Sequence, residues 1–216
     1  MTLTKEERTK GKEAWQRVGG LSAPSKMPCF SYSIPARRCQ IGGKLFKVKG
    51  SVCSFCYALK GRYLFPNVQN ALERRFSSLA SENWVADMVC AIAANERSGF
   101  FRWHDSGDLQ GVWHLRKLCQ VAEALPQIRF WLPTREYSFV SDYVKEGGKI
   151  PANLTVRLSG YMLEGVAPEG LASRLGVCAS SVSSANWNCP SSKQGNKCQA
   201  CRLCWDNTKT VTYKKH

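Results

Sequence analysis

Three short apolar runs constrain the fold most: residues 100–103 (FFRW), 128–132 (IRFWL) and 154–159 (LTVRLS), each separated from the next by a stretch with helical periodicity. Strands alternating with helices pair in parallel through right-handed crossovers. The chain is therefore expected to build an α/β fold, a partial or compact (β/α) barrel with parallel strands. Polar motifs follow these strands: His104-Asp105-Ser106-Gly107-Asp108, Pro133-Thr134-Arg135-Glu136 and Ser159-Gly160-Tyr161-Met162. In α/β folds the C-terminal edge of the sheet is where ligands bind.

The flanking segments read differently. Thr4-Lys5-Glu6-Glu7 is a capping box, and a basic helix is expected from it to about Val18. Residues 19–52 are rich in Gly, Pro, Ser and Lys and read as irregular. Residues 67–97 predict two helices broken near Ser81, residues 110–124 and 137–146 one helix each, and residues 175–182 a further strand. Past Ala185 the chain becomes rich in Cys and turn formers. The expected organisation is a basic N-terminal helix and loop (1–52), an α/β core (53–184) and a Cys-rich irregular tail (185–216), packed as one domain.

Charge is unevenly placed. The 216-residue chain carries 31 Lys and Arg against 16 Asp and Glu, a net charge of +15. Residues 1–75 hold 15 basic and 4 acidic residues, which leaves +11 in the first third. Such a surface suits an anionic partner, with nucleic acid or a nucleotide first among them. Lys44, Lys47, Lys49, Arg62 and Arg135 are the candidate contacts. A solvated surface, or balance for a negatively charged metal cluster, are the alternatives. No run of about 18 apolar residues exists, so no membrane-spanning helix is expected. The first residues are charged where a signal peptide is apolar, so the expected location is the cytoplasm, that of the host if the gene is a phage's.

Eleven cysteines, an odd number, argue against a secreted disulfide framework. Cys90, Cys119 and Cys178 stand alone in apolar surroundings and read as core residues. The other eight form two groups by sequence: Cys29, Cys39, Cys53 and Cys56, then Cys189, Cys198, Cys201 and Cys204. Clustered thiols without a secretory signal read as metal ligands. The C-x2-C-x2-C run of the second group, with Cys189-Pro190 ahead of it, is similar to ferredoxin-type spacing and favours a 4Fe-4S cluster. Structural zinc is the alternative at both groups.

Cys53-Ser54-Phe55-Cys56-Tyr57-Ala58, just before a helical region, resembles the cluster loop of radical S-adenosylmethionine (SAM) enzymes. The family's usual spacing is C-x3-C-x2-C, and with Cys39 this chain has an expanded C-x13-C-x2-C. Ser106-Gly107-Asp108 falls where that family has a Gly-Gly-Glu-Pro-like motif that holds the SAM amino group. The resemblance implies that Cys39, Cys53 and Cys56 bind one 4Fe-4S cluster, that Ser106, Gly107 and Asp108 bind SAM, and that the tail carries an auxiliary cluster. The chain also resembles small Cys-rich bacteriophage proteins with a C-x2-C-Y-A element.

His104, Asp105 and Asp108 form the densest polar constellation and are the candidate catalytic residues. Close carboxylates push their pKa values apart and can share acid–base work. Capping of the following helix by Asp105, Ser106 or Asp108 is the competing role. Residues 105–110 also resemble the Asp-Ser-Gly-Gly-Phe-Gln motif of tRNA- and DNA-guanine transglycosylases, which implies a base pocket at Asp105 and structural metal. The seven tryptophans are expected mostly in the core, but Trp103, Trp113 and Trp131 flank this segment, and stacking on a base is the alternative to packing there. Three functions are thus expected in order: a radical SAM-like enzyme acting on a nucleobase or nucleic acid, a transglycosylase-like base-exchange enzyme, or a metal-stabilised nucleic-acid-binding module without catalysis.

Overall fold

The computed structural model describes residues 4–215. Six strands, β1 (Ser31–Tyr32), β2 (Phe100–Trp103), β3 (Arg129–Thr134), β4 (Leu154–Leu163), β5 (Cys178–Ser183) and β6 (Val211–Lys214), form one sheet in sequence order. Every neighbouring pair is parallel. This is the strand order of a partial (β/α) barrel, as the strand–helix alternation implies. The sheet also takes strands from both flanking segments, since β1 lies within 1–52 and β6 within 185–216.

Seven α-helices accompany it among the described residues: α1 (Lys5–Arg17), α2 (Gln40–Phe46), α3 (Pro66–Ser78), α4 (Trp84–Asn95), α5 (Val112–Ala124), α6 (Tyr137–Lys145) and α7 (Glu169–Arg174). The capping box at α1 forms in full, with Glu7 N donating to Thr4 Oγ1 at 3.2 Å and Thr4 N to Glu7 Oε2 at 2.7 Å. Proline opens α3, where its missing N–H costs nothing. Gly11 of α1 lies directly against Ala94 of α4, so a larger residue there would overlap the Ala94 methyl.

The period-2 alternation of the strands splits the sheet into two faces. Phe101, Trp103, Phe130, Leu132, Leu154, Val156 and Leu158 join the main core with Ala14 of α1, Met88 and Ile92 of α4, Leu115 and Leu118 of α5, and Val140 of α6. Trimming one such buried leucine to alanine would cost about 2–5 kcal/mol. Phe100, Trp131 and Tyr213 instead meet a second cluster, with Met27, Cys29, Cys204 and Trp205. The connection from β5 to β6, residues 184–210, contains no α-helix and supplies Cys204 and Trp205 to that cluster.

Two sequence expectations are corrected. Residues 19–52 are not wholly irregular, because they contain β1 and α2. Strand β1 is two residues long and so has no readable period. It is set by burial of Tyr32, whose hydroxyl lies 2.9 Å from Val18 O and 2.8 Å from Arg75 O. The tail is not irregular to its end, since β6 completes the sheet and pairs Val211 with Ser180.

Candidate functional site

The loop after β2 is built for backbone approach. His104 takes a left-handed φ of 55°, and its N–H donates to Tyr32 O at 2.8 Å. Gly107 has φ 82°, and a Cβ there would stand 2.7 Å from Ile34 O. Only glycine fits that turn. Ser106 Oγ donates to Ile34 O at 3.0 Å, and Ile34 N donates to Ser106 O at 3.1 Å. Ser106 and Gly107 thus seat the loop on the end of β1.

The two aspartates are held differently. Asp105 Oδ1 accepts from Ser31 Oγ at 2.8 Å and from Ser33 Oγ. Its Oδ2 accepts from the Tyr63 hydroxyl at 2.6 Å, and its carbonyl accepts from the Tyr57 hydroxyl. Asp108 is buried, and its carboxylate accepts from Thr134 Oγ1 at 2.6 Å, Leu109 N at 2.8 Å and Arg135 N at 2.8 Å. Burial pushes its pKa up, against the pull of those three donors. Neither carboxylate caps α5. The residue preceding that helix is Gly111, with no side-chain bond, and His114 Nδ1 takes the Gln110 N–H at 3.3 Å. The capping expectation for Asp105, Ser106 and Asp108 fails because the loop turns them toward β1 and β3 instead.

The His104 ring is interior. It packs edge-on against His114 at 5.2 Å between centroids, and neither of its nitrogens has a hydrogen-bond partner. Burial pushes its pKa down to about 3, so the ring is neutral at physiological pH. The flanking tryptophans divide as well. Trp103 is fully buried and Trp131 nearly so, while Trp113 is exposed on α5 and stacks on His114 at 5.4 Å. Trp103 and Trp131 are packing residues, because inward strand positions bury them.

Cys39, Cys53 and Cys56 lie in the connection from β1 to β2, beside the carboxylates. Cys39 precedes α2, Cys53 sits in a 3-10 turn (Val52–Phe55), and Cys56 N donates to Cys53 O at 3.1 Å. Ser51 fixes that turn by accepting from Ser54 N at 3.0 Å. Gly42, in the first turn of α2, faces both sulfurs: a Cβ there would lie 3.6 Å from Cys39 Sγ and 3.7 Å from Cys53 Sγ. Burial pushes the thiols of Cys39 and Cys53 up, and Arg135 pulls Cys53 partly back. Cys39 and Cys53 lie close enough to Cys56 and Asp108 for those neighbours to raise both of their pKa values further. Glu136, also buried, accepts from Gln40 N at 3.1 Å and Ile41 N at 2.8 Å and so caps α2. Arg135 Nε donates to Gly160 O at 3.2 Å, and Tyr137 stacks on Tyr161 at 4.5 Å beside it.

The tail forms the other group. Cys198 N donates to Lys26 O at 2.9 Å, Cys189 Sγ is 3.3 Å from Ser191 Oγ, and Cys204 Sγ is 3.4 Å from the Tyr213 hydroxyl. The fully buried Arg157 holds this segment, donating to Ala179 O at 2.8 Å, Lys209 O at 2.6 Å and Asp206 O at 2.7 Å. Cys29 belongs here. It packs with Cys204, Trp131 and Trp205, not with Cys39, Cys53 and Cys56, which corrects its grouping by sequence nearness. Burial pushes its thiol up to about 12. The two groups sit at opposite ends of β2, since Phe100 opens that strand beside the tail and Asp108 follows its end. Of the isolated cysteines, Cys119 is in the main core, Cys90 packs against it, and Cys178 Sγ meets Asn207 O at 3.0 Å.

Among the described residues, no three His, Cys, Asp or Glu side chains converge closely enough to hold a single metal ion. The thiols are neighbours without sharing one point. Four-iron clusters spread their thiolates over a larger volume than one ion does.

Lys44, Lys47, Lys49 and Arg62 are exposed on the segment that carries these thiols. Sequence reasoning missed their companions. Phe46, Val48, Phe55, Tyr57, Leu64 and Phe65 are all exposed on the same stretch. The readable signal was the interleaving of aromatic and basic residues in 44–49 (KLFKVK) and 60–65 (KGRYLF).

These features define an all-parallel α/β protein of partial-barrel type, with one thiol group over the C-terminal edge of its sheet and a second in its tail. Residues 1–207 match the family described as Gene product 88, and the chain belongs to that family. Membership fits a bacteriophage protein. No radical SAM or transglycosylase family matches the chain, so those two resemblances rest on motifs alone. Nothing matches among curated proteins or among solved structures.

Proposed function

We propose that the chain is an iron–sulfur protein of radical SAM-like type, acting on a nucleobase or nucleic acid. The observation that carries the reading is the placement of Cys39, Cys53 and Cys56 directly after β1, beside Asp108 and Arg135 at the ends of β2 and β3. Three thiols can hold a 4Fe-4S cluster and leave one iron open. Such a cluster would supply the electron that cleaves bound SAM.

The remaining work falls to the chain. Arg135, next to Cys53, is the cation for a carboxylate or phosphate at this edge. Asp108 orients that arginine's backbone and ties the β2 and β3 loops together. Tyr137 and Tyr161 offer a stacked wall beside Arg135, and the exposed lysines and aromatics of residues 44–65 suit an anionic strand with stackable bases. The tail cysteines would bind a second cluster or zinc. Base exchange is the weaker reading, because both oxygens of Asp105 are committed to Ser31, Ser33 and Tyr63 and would have to release a hydroxyl to meet a base.

The test is iron, acid-labile sulfide and a visible spectrum on protein purified without oxygen, followed by SAM titration. Brown protein with iron and sulfide in similar amounts, and SAM binding lost in Cys53→Ala, is the expected result. Colourless protein that holds only zinc, or a cluster that ignores SAM, overturns the reading.

A further inference from the structure

Cys29 is a buried cysteine with an unusual neighbourhood. It is packed against Cys204, Trp131 and Trp205, while Cys198 is drawn to the same segment by its bond to Lys26 O at 2.9 Å. A chain segment from before β1 and one from the far tail, about 170 residues later, thus bring thiols together.

Arg102 stands at the same place. Its guanidinium lies 4.6 Å over the Trp131 ring, and one terminal nitrogen is 3.3 Å from the Met27 sulfur. Its Nε is buried with no hydrogen-bond partner, and among the described residues no carboxylate lies within ion-pair distance of it. The Tyr57 hydroxyl and Asp105 favour its charge from one side, while on the other it lies close enough to Cys29 and Cys204 to pull both thiols toward the thiolate form. Metal-bound thiolates at those two positions would face this guanidinium. A second guanidinium, Arg202, lies 5.0 Å from the Phe100 ring in the same region.

We propose that Cys29 is one of the four ligands of the tail metal centre, with one of the tail thiols left free, so that the centre joins the segment before β1 to the β5–β6 connection. This rests on the reading of the tail cysteines as metal ligands. Each ligating thiol gives its proton to solvent as the metal–sulfur bond forms.

The competing role is that of a small buried hydrophobe, which is what Cys119 is in the main core. The experiment therefore compares Cys29→Ser and Cys29→Ala with Cys119→Ser, all in a full-length chain carrying Cys39→Ala, Cys53→Ala and Cys56→Ala. Each is reconstituted without oxygen using ferrous iron and sulfide, and separately loaded with zinc alone. Metal per chain and its rate of loss to a chelator are measured, with circular dichroism as the check on folding. The expected result is metal loss at least about tenfold faster in both Cys29 variants, the scale seen when a metal's supporting shell is disturbed, and unchanged in Cys119→Ser. Equal retention in all three overturns the role of Cys29 alone. A parent that takes up neither iron nor zinc overturns the tail centre with it. The centre at Cys39, Cys53 and Cys56 is judged separately, in a chain with Cys189, Cys198, Cys201 and Cys204 replaced by alanine.

Discussion

Glu136 and Ile41 are 95 residues apart, and a 2.8 Å hydrogen bond joins the carboxylate of one to the backbone N–H of the other. The bond caps α2 from the end of β3. It matters because Cys39 immediately precedes that helix. The position of the first thiol is therefore set by a carboxylate on the sheet and not by its own segment, whose QIGGKLF sequence with two glycines is a poor helix former.

Removing this cap should loosen Cys39. Glu136→Ala leaves two N–H groups unsatisfied and is expected to cost about 1–3 kcal/mol, while Glu136→Gln keeps an acceptor oxygen and costs less. Urea unfolding measures the first effect. The rate at which a thiol reagent modifies Cys39 in metal-free protein measures the second and should rise in Glu136→Ala. An unchanged modification rate would show that Cys39 is placed by something other than α2.

The buried His104 predicts acid sensitivity. Its folded pKa is pushed down to about 3, below the ordinary histidine value of 6.5, so the unfolded chain binds the extra proton between those values. Stability is then fully present above about pH 6.5 and falls as pH drops toward 3, by about 1.4 kcal/mol per pH unit per proton. His114, whose pKa burial also depresses, adds to the slope. His104→Asn tolerates the left-handed backbone and removes one titrating group. Its unfolding free energy should fall less steeply between pH 6 and 4 than that of the parent chain, and an identical slope would mean that His104 is solvated.

What the sequence announced and what it hid follow one physical division. Strands β2, β3 and β4 were legible because their burial comes from their own apolar side chains. Strand β1 was not, because Ser31 and Tyr32 are fixed by partners far along the chain: Asp105, Arg75 and Ser78. The thiols of Cys39, Cys53 and Cys56 were found from spacing, yet spacing also misplaced Cys29, whose neighbours come from the other end of the molecule. Asp105 and Asp108 stood out as polar residues, but their hydroxyl and backbone partners had no local signature. The exposed aromatics of residues 44–65 were visible as a pattern and were passed over, while Trp103, Trp113 and Trp131 drew notice as stacking candidates; two of them, Trp103 and Trp131, pack in the interior as the safer reading had it.

Arg157 predicts where the molecule opens first. Its fully buried guanidinium serves carbonyls of residues 179, 206 and 209, so Arg157→Lys leaves carbonyls without donors. The expected cost is about 3 kcal/mol or more. Most of the loss should appear as local opening, because α1, α4, α5 and α6 pack on the other face of the sheet. Limited proteolysis should cut between residues 185 and 210 before the remainder is digested. Simultaneous loss of the whole fold would mean that the tail and the main core are one cooperative unit.

Under the proposed function, the exposed rim would make two kinds of nucleic-acid contact. Lys44, Lys47 and Lys49 would act through phosphate, so replacing all three with alanine should weaken binding to a single-stranded oligonucleotide. It should also flatten the salt dependence, with the log–log slope reduced by about 2 at roughly 0.7 per phosphate contact. Phe55 and Phe65 would act through bases. Their alanine variants should cost about 1–3 kcal/mol for each stacked base lost, with the salt slope unchanged. Fluorescence anisotropy at several salt concentrations reads both quantities. Weakening by the lysine changes alone would identify a surface that attracts phosphate without seating bases, and no change from either set would remove nucleic acid as the partner of this rim.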